Sequence, residues 1–129
     1  MNLKKMVFIP FLILTLFPVP GFSMAKKHES FFIHLTIDFG PAGKPTYDKD
    51  LEVEKGSTPK DVVSQAFPIQ SGKTCCSFRE IKSIDGVKVD PAKNQWWTCS
   101  VNDSKKISPQ RKKLKAGDKV LWKYIEESQ

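Results

Sequence analysis

The chain has 129 residues, of which 40% are apolar and 27% are charged, and its formal net charge is +7. This is the composition of one globular domain, so it excludes a multidomain enzyme. It also excludes a disordered chain, because 11% of the residues are aromatic and supply apolar area that offsets the entropy cost of ordering.

The first 25 residues have the three parts of a secretory signal peptide. Lys4 and Lys5 give a positive start, an apolar run covers residues 7–17, and small residues suit cleavage after Ala25. The alternative is an uncleaved membrane anchor, but a helical span needs about 20 apolar residues and prolines interrupt this run. We expect export through a cleaved signal peptide, to the periplasm or the medium. The mature chain would have no transmembrane segment and a net charge of +5, since the signal carries two lysines and no acid.

Alternating apolar residues predict the first strands of the mature chain. After a short polar tail at 26–30, apolar and polar residues alternate over 31–39, which is typical of a half-buried strand. A turn-rich connection at 40–45 leads to a second strand in which Leu51 and Val53 face inward. These two strands are predicted to form a hairpin.

A helix start follows the hairpin. Thr58 can cap the helix, Pro59 suits its first position, and Asp61 can complete a capping box. Pro68 is predicted to end the helix. The buried stripe of the helix is predicted to consist of Val62, Val63, Ala66 and Phe67.

Strand patterns return after the helix. We predict strands over 75–84, 95–101 and 119–125, with a turn at Asp85 and Gly86. The order is then ββαβββ. Because one helix can cover only one face of a small sheet, this order favours an α+β fold, a small β-grasp-like domain with one helix packed on a mainly antiparallel sheet.

Two adjacent tryptophans are predicted to point to opposite faces of that sheet. Trp97 is in phase with Cys99 and Val101, so we expect it to pack on the helix. Trp96 points the other way, with Thr98 and Ser100, which makes it the better candidate for a binding surface. The alternative for Trp96 is an edge position covered by a loop.

Three cysteines are an odd number for an exported chain. Cys75 and Cys76 are adjacent, and a disulfide from either to Cys99 would leave the other free. A zinc knuckle is disfavoured, because there is no CxxC and the histidines are only His28 and His34. We therefore predict no metal site. The one catalytic alternative is a cysteine thiolate at 75 or 76 activated by His34.

Catalytic motifs are missing from the sequence, which has no GxSxG, HExxH or phosphate-binding glycine loop. We therefore expect a noncatalytic protein without a cofactor.

A basic segment covers residues 105–123, with eight basic residues and one acid. Such a segment could bind an anionic polymer by charge alone. The alternative is a solvated loop and strand whose lysines deter edge-to-edge pairing. The candidate polyanion-binding residues are Lys105, Lys106, Arg111, Lys112, Lys113 and Lys115.

Four stretches of the chain together resemble one known domain family. They read GSTPKDVV at 56–63, SIDGV at 83–87, WWTCSVN at 96–102 and LKAGDKVLWKY at 114–124. In this order and spacing they resemble the C-terminal, transcobalamin-like β-grasp domain of vitamin B12 carriers and of many bacterial exported proteins. Residues 31–129 would form this domain.

The resemblance implies a binding module for a small molecule such as a corrinoid, or for a protein partner. Trp96, Ser100 and Asn102 are its candidate contact residues. The chain departs from the family at Cys99 and Ser100, where aromatic residues are usual, and at Asp103, where Gly is usual. The second functional hypothesis is a surface or host-interaction protein that binds polyanions through 105–123. We expect a monomer unless the odd cysteine pairs between chains.

Overall fold

The computed structural model describes residues 29–72 and 81–128. The predicted signal peptide, the tail up to residue 28, and both Cys75 and Cys76 lie outside the described residues. No helix within the described ranges is long and apolar enough to cross a membrane. The elements in these ranges, two short 3-10 helices aside, are β1 (Ser30–Asp38), β2 (Tyr47–Glu54), α1 (Pro59–Ala66), β3 (Ile69–Ser71), β4 (Ile81–Ile84), β5 (Val87–Lys88), β6 (Gln95–Val101) and β7 (Lys119–Glu126).

The described strands form two sheets. The main sheet has the order β2-β1-β7-β6, in which β1 and β7 are parallel and the other neighbours are antiparallel. The smaller sheet has the order β3-β4-β5 and is antiparallel. The α+β class is therefore confirmed, with one helix and mostly strands in the described ranges.

The predicted order ββαβββ is not what the structure shows. After α1 the described ranges contain β3 to β7, and the segment predicted as one strand over 75–84 shows only β4 in its described part. The difference comes from two short strand pairings close together in the sequence. The turn at Asp85 and Gly86 folds β5 back onto β4, and β3 pairs with β4 directly after Pro68.

The helix begins and ends where the sequence predicts. The Thr58 hydroxyl accepts a hydrogen bond from the Asp61 N–H at 3.3 Å, and the Asp61 carboxylate accepts one from the Thr58 N–H at 3.0 Å. This is the predicted capping box, with Pro59 at the helix start. The helix ends at Ala66, two residues before Pro68.

Three aromatic side chains hold the helix and the smaller sheet against the inner face of the main sheet. The Trp122 indole donates to the Pro59 carbonyl at 3.1 Å. The Trp97 indole donates to the Val87 carbonyl at 2.8 Å, and the Tyr124 hydroxyl donates to the Lys88 carbonyl at 2.7 Å. Their rings thus fill the core while their polar atoms are satisfied.

The predicted inward positions are largely confirmed. The buried ones include Ile33, Leu35, Ile37, Phe39, Val53, Val62, Val63, Trp97, Val101, Val120, Trp122 and Tyr124. Phe31, Leu51, Ala66, Phe67 and Cys99 are only half-buried against this core.

We use the name outer face for the opposite side of the main sheet. The strand register places on it Asp48, Asp50 and Glu52 of β2, Phe32, His34 and Thr36 of β1, Lys119, Leu121, Lys123 and Ile125 of β7, and Trp96, Thr98 and Ser100 of β6. Phe32 is 62% exposed there. The two tryptophans of β6 therefore point to opposite faces, as predicted.

Candidate functional site

Trp96 lies half-buried on the outer face, opposite Ile125 of β7. Its indole N–H donates to the Asn94 side-chain oxygen at 3.0 Å. Asn94 is itself held to the end of β7, because its side-chain nitrogen donates to the Glu127 carbonyl at 2.8 Å and its carbonyl accepts the Glu127 N–H. This chain of hydrogen bonds fixes the orientation of the indole ring.

A polar depression of about 520 Å³ lies beside this end of the sheet. It is lined by Ala92, Lys93, Asn94, Glu126, Glu127 and Ser128. Asn94 thus connects the depression to the indole of Trp96. The two features together make one candidate site at the start of β6.

Ser100 and Asn102, the other predicted contact residues, are less available to a ligand for different reasons: Ser100 is buried, and the exposed Asn102 is engaged in hydrogen bonds. Ser100 shares the outer face with Trp96 but is only 7% exposed. The Asn102 side chain donates to the Asp118 carboxylate at 2.9 Å and accepts the Lys119 N–H at 2.9 Å. It therefore ties together the two ends of the loop between β6 and β7. The ligand-binding roles of all three residues stay predictions.

We use the name basic loop for residues 102–118, which connect β6 and β7. The loop is anchored at its apolar positions, and its basic positions are exposed. The Leu114 N–H donates to the Ser57 carbonyl at 2.9 Å, and the Pro109 carbonyl accepts the Lys60 N–H at 3.0 Å. Pro109 and Leu114 are buried. The predicted polyanion-binding residues are all exposed: Lys105, Lys106, Arg111, Lys112, Lys113 and Lys115.

Cys99 carries a free thiol in the structure and is half-buried. Burial raises the pKa of this thiol, so the reactive thiolate is disfavoured at neutral pH. Because Cys75 and Cys76 lie outside the described residues, the disulfide with Cys99 stays a prediction.

A cluster around His34 was not predicted from the sequence. His34 Nδ1 lies 2.7 Å from the Asp50 carboxylate, and His34 Nε2 contacts the Asp48 carboxylate. Thr36 also donates to Asp48, at 3.2 Å. Only the doubly protonated imidazole ring can donate to both carboxylates at once. The hydrogen bond to Asp50, followed by that to Asp48, raises the pKa of His34.

The alternation of polar residues on β1 and β2 was the only sequence signal for this cluster. It could have identified the cluster only if the register of the hairpin had been known. Within the described ranges, no group of His, Cys, Asp and Glu side chains is arranged to hold a metal ion. With both ring nitrogens held by carboxylates, His34 has no nitrogen left to activate a thiol.

A second polar depression, of about 860 Å³, lies between the end of β2 and the start of α1. The Glu52 carbonyl accepts a hydrogen bond from the Gln65 side chain at 3.0 Å inside it. Asp61, also in its lining, is engaged in the capping box. None of the residues predicted as binding sites lines this depression.

Solved structures with the same fold include two proteins of low sequence identity. Haptocorrin in complex with Cbi superposes with a TM-score of 0.60 and 12% identity, over 78% of this chain and 26% of that one. The chain thus spans about a quarter of the haptocorrin length. A protein of Ruminococcus gnavus ATCC 29149, for which metal binding has been suggested, superposes with a TM-score of 0.55 and 16% identity, over 76% of this chain and 99% of that one.

At the level of sequence, residues 56–126 match the family described as Domain of unknown function (DUF4430). No curated protein matches the chain. The family match covers more than half of the chain and includes α1, β6 and β7. The resemblance to transcobalamin-like domains is confirmed by this match together with the haptocorrin fold. The chain therefore belongs to the DUF4430 family of transcobalamin-like domains.

Proposed function

We propose that this domain is a noncatalytic binding module for a corrinoid-like small molecule, and that Trp96 is its principal contact. The observation that carries the proposal is the position of Trp96, an aromatic side chain with a fixed orientation on the outer face. A ring that is already ordered loses little conformational entropy when a ligand stacks on it. The fold shared with haptocorrin supports the choice of a corrinoid as the ligand class.

The surroundings of Trp96 suit a broad, partly apolar ligand. Ile125 lies opposite Trp96 and Leu121 lies opposite Ser100, and both are half-buried on the outer face. The Thr98 hydroxyl between them donates to the Lys123 carbonyl at 3.1 Å, so it competes little for a ligand. Because Ser100 is small, a ligand stacked on Trp96 can approach the sheet closely.

The affinity is expected to be modest. Small-molecule sites with high affinity bury most of the ligand surface in a concave pocket. The outer face covers a ligand from one side only. We therefore expect a dissociation constant in the micromolar range, and not the nanomolar range, unless a second protein covers the ligand.

A titration with cobinamide and with cobalamin tests the proposal, with corrin absorbance and tryptophan fluorescence as the readouts. We expect a saturable change that is the same at low and at moderate salt, because stacking depends little on ionic strength. Trp96→Ala should abolish the change. Phe32→Ala is the matched control, since it removes an exposed aromatic ring from another strand of the same face. No change in absorbance or fluorescence up to about 1 mM ligand would contradict the proposal.

Export through cleavage after Ala25 is part of the proposal, supported by the charged start and apolar run of residues 1–17. An intact mass of the exported protein, before and after alkylation, tests it. The expected mass is that of residues 26–129, and the number of alkylated thiols reports the state of the three cysteines. A full-length mass would contradict the proposed cleavage.

Polyanion binding by the basic loop is a second candidate function, favoured by one observation. In the part of the chain that the structure describes, none of five exposed lysines of this loop makes an ion pair: Lys105, Lys106, Lys112, Lys113 and Lys115. Their charge is therefore available to an anionic polymer.

A further inference from the structure

The outer face carries two columns of opposite charge that do not pair with each other in the described ranges. The acidic column is Asp48, Asp50 and Glu52 on β2, and the basic column is Lys119 and Lys123 on β7. Strand β1 lies between them, so the columns are separated by two strand spacings, about 10 Å. In the described ranges no ion pair joins the two columns across β1.

The acidic column keeps net negative charge despite its contacts. Protonated His34 offsets one charge between Asp48 and Asp50. Glu52 accepts a hydrogen bond from the Ser30 hydroxyl at 2.6 Å, which is neutral. With three carboxylates against one imidazolium, the column attracts cations from outside the molecule.

The basic column also has no partner within the described ranges, where neither Lys119 nor Lys123 makes an ion pair. Asp38 lies beside Lys123 in register, but its carboxylate accepts the Gly40 N–H at 2.9 Å. Both lysines are exposed. They are therefore free to meet carboxylates of another molecule.

On the same face β1 presents Phe32, which lies opposite Glu52 and two residues before the level of Lys119. Its side chain is the one large apolar group in the described ranges that is mostly exposed. An exposed aromatic ring near charged side chains is typical of a protein contact. The outer face thus combines an exposed aromatic ring near the start of β1 with a charged column on either side of that strand.

We propose that a second copy of this chain covers the outer face, with a two-fold axis that runs along β1. Such an axis exchanges the two sides of the face, so β2 of each copy lies over β7 of the other. Each acidic column then meets a basic column, and Phe32 meets its counterpart at the axis. A two-fold axis across the strands would instead place acidic column on acidic column.

The proposed arrangement fits the way sheets pack. Stacked sheets lie about 10 Å apart with strand directions within about 30°, which an axis nearly parallel to the strands satisfies. The overlap covers β2, β1 and β7 and leaves β6 with Trp96 at the rim. Because the overlap is limited to three strands, we expect a small interface and a weak dimer that depends on concentration.

Sedimentation of the purified protein tests the proposal, with a reducing agent present so that no disulfide between chains contributes. We expect dimers to form between about 10 and 500 µM at low salt and to dissociate at high salt. Lys119→Glu/Lys123→Glu and Asp48→Lys/Asp50→Lys should each raise the dimer dissociation constant at least about tenfold. Lys105→Glu/Lys106→Glu is the control, since it reverses two exposed charges outside the outer face and should leave dimerisation unchanged.

Mixing the two outer-face variants is the decisive step. In each variant both columns carry net charge of the same sign, so each repels itself. Together the two variants restore columns of opposite net charge at both contacts, so we expect a heterodimer. This rescue also shows that both variants are folded. A monomer at every concentration, a dimer that survives either charge reversal, or a mixture that stays monomeric would each overturn the proposal.

Discussion

His34 and Asp50 lie directly opposite each other on β1 and β2, with 2.7 Å between the ring nitrogen and the carboxylate, while Asp48 holds the other ring nitrogen. A single imidazole thus joins two residues of the neighbouring strand. The contact requires both ring nitrogens to carry protons, so the hairpin is coupled to pH.

The first prediction concerns the pH dependence of stability. The folded protein raises the pKa of His34 above its ordinary value of about 6.5, through the Asp50 hydrogen bond first. The stabilisation is therefore complete below pH 6.5 and is lost as the pH rises through the raised pKa. Since the groups are partly exposed, we expect His34→Gln to lower the free energy of unfolding by about 1 kcal/mol or less at pH 5.5.

Urea denaturation at pH 5.5 and at pH 9 measures this effect. The difference between the wild type and His34→Gln should be clear at pH 5.5 and should shrink at pH 9. An equal difference at both pH values would show that the imidazolium does not stabilise the hairpin.

The second prediction concerns Gly40, which has a φ of +46° and lies against the backbone of β7. A Cβ at this position would be 2.2 Å from the Tyr124 carbonyl oxygen. Gly43, in the same turn, has a φ of +76° and open space around it. Gly43→Ala therefore costs only the strain of a left-handed backbone conformation, about 1 to 2 kcal/mol. Gly40→Ala carries the same strain and must also displace a strand.

Chemical denaturation of the two glycine variants separates these effects. We expect Gly40→Ala to destabilise the domain by at least about 2 kcal/mol more than Gly43→Ala does. Equal losses would mean that the turn can move away from Tyr124 without disturbing β7.

The third prediction concerns the capping box at the start of α1. Thr58→Ala removes the acceptor of the Asp61 N–H and should lower the free energy of unfolding by about 1 kcal/mol. Thr58→Ser keeps the hydroxyl and is the matched control. The urea midpoint reports both, and the same midpoint for Thr58→Ala and the wild type would show that the cap contributes nothing.

The fourth prediction concerns the basic loop. If it binds polyanions, the affinity for inorganic polyphosphate should fall steeply as salt is added, because bound counterions are released from the polymer. Arg111→Ala/Lys112→Ala/Lys113→Ala should abolish this binding and leave the corrinoid titration unchanged. Undiminished polyphosphate binding by the triple variant at low salt would reject the loop as the site.

The hairpin, the helix and the inward faces were predictable because each depends on local periodicity. Thr58 and Pro68 mark the two ends of α1, and alternation places Ile33, Leu35 and Ile37 in the core. The division into two sheets was not predictable in this way. Strands β3 and β5 have three and two residues, which is too short to show a period.

Side-chain partnerships at the candidate sites depend on register, which the sequence does not specify. The His34 cluster needs the pairing of β1 with β2, and the long connection between them leaves that pairing open. Asn102 is predicted as a contact residue, but its side chain spans from β6 to the start of β7. Only the tertiary fold brings these ends together.

The central claim is that a corrinoid binds at Trp96, and an NMR titration of the indole N–H signals with cobinamide tests it most directly. The chain has three tryptophans, and each indole has a different partner: Asn94 for Trp96, Val87 for Trp97 and Pro59 for Trp122. We predict a saturable shift of the Trp96 signal, with the Trp97 and Trp122 signals unmoved inside the core. A Trp96 signal that stays in place throughout the titration would contradict the claim.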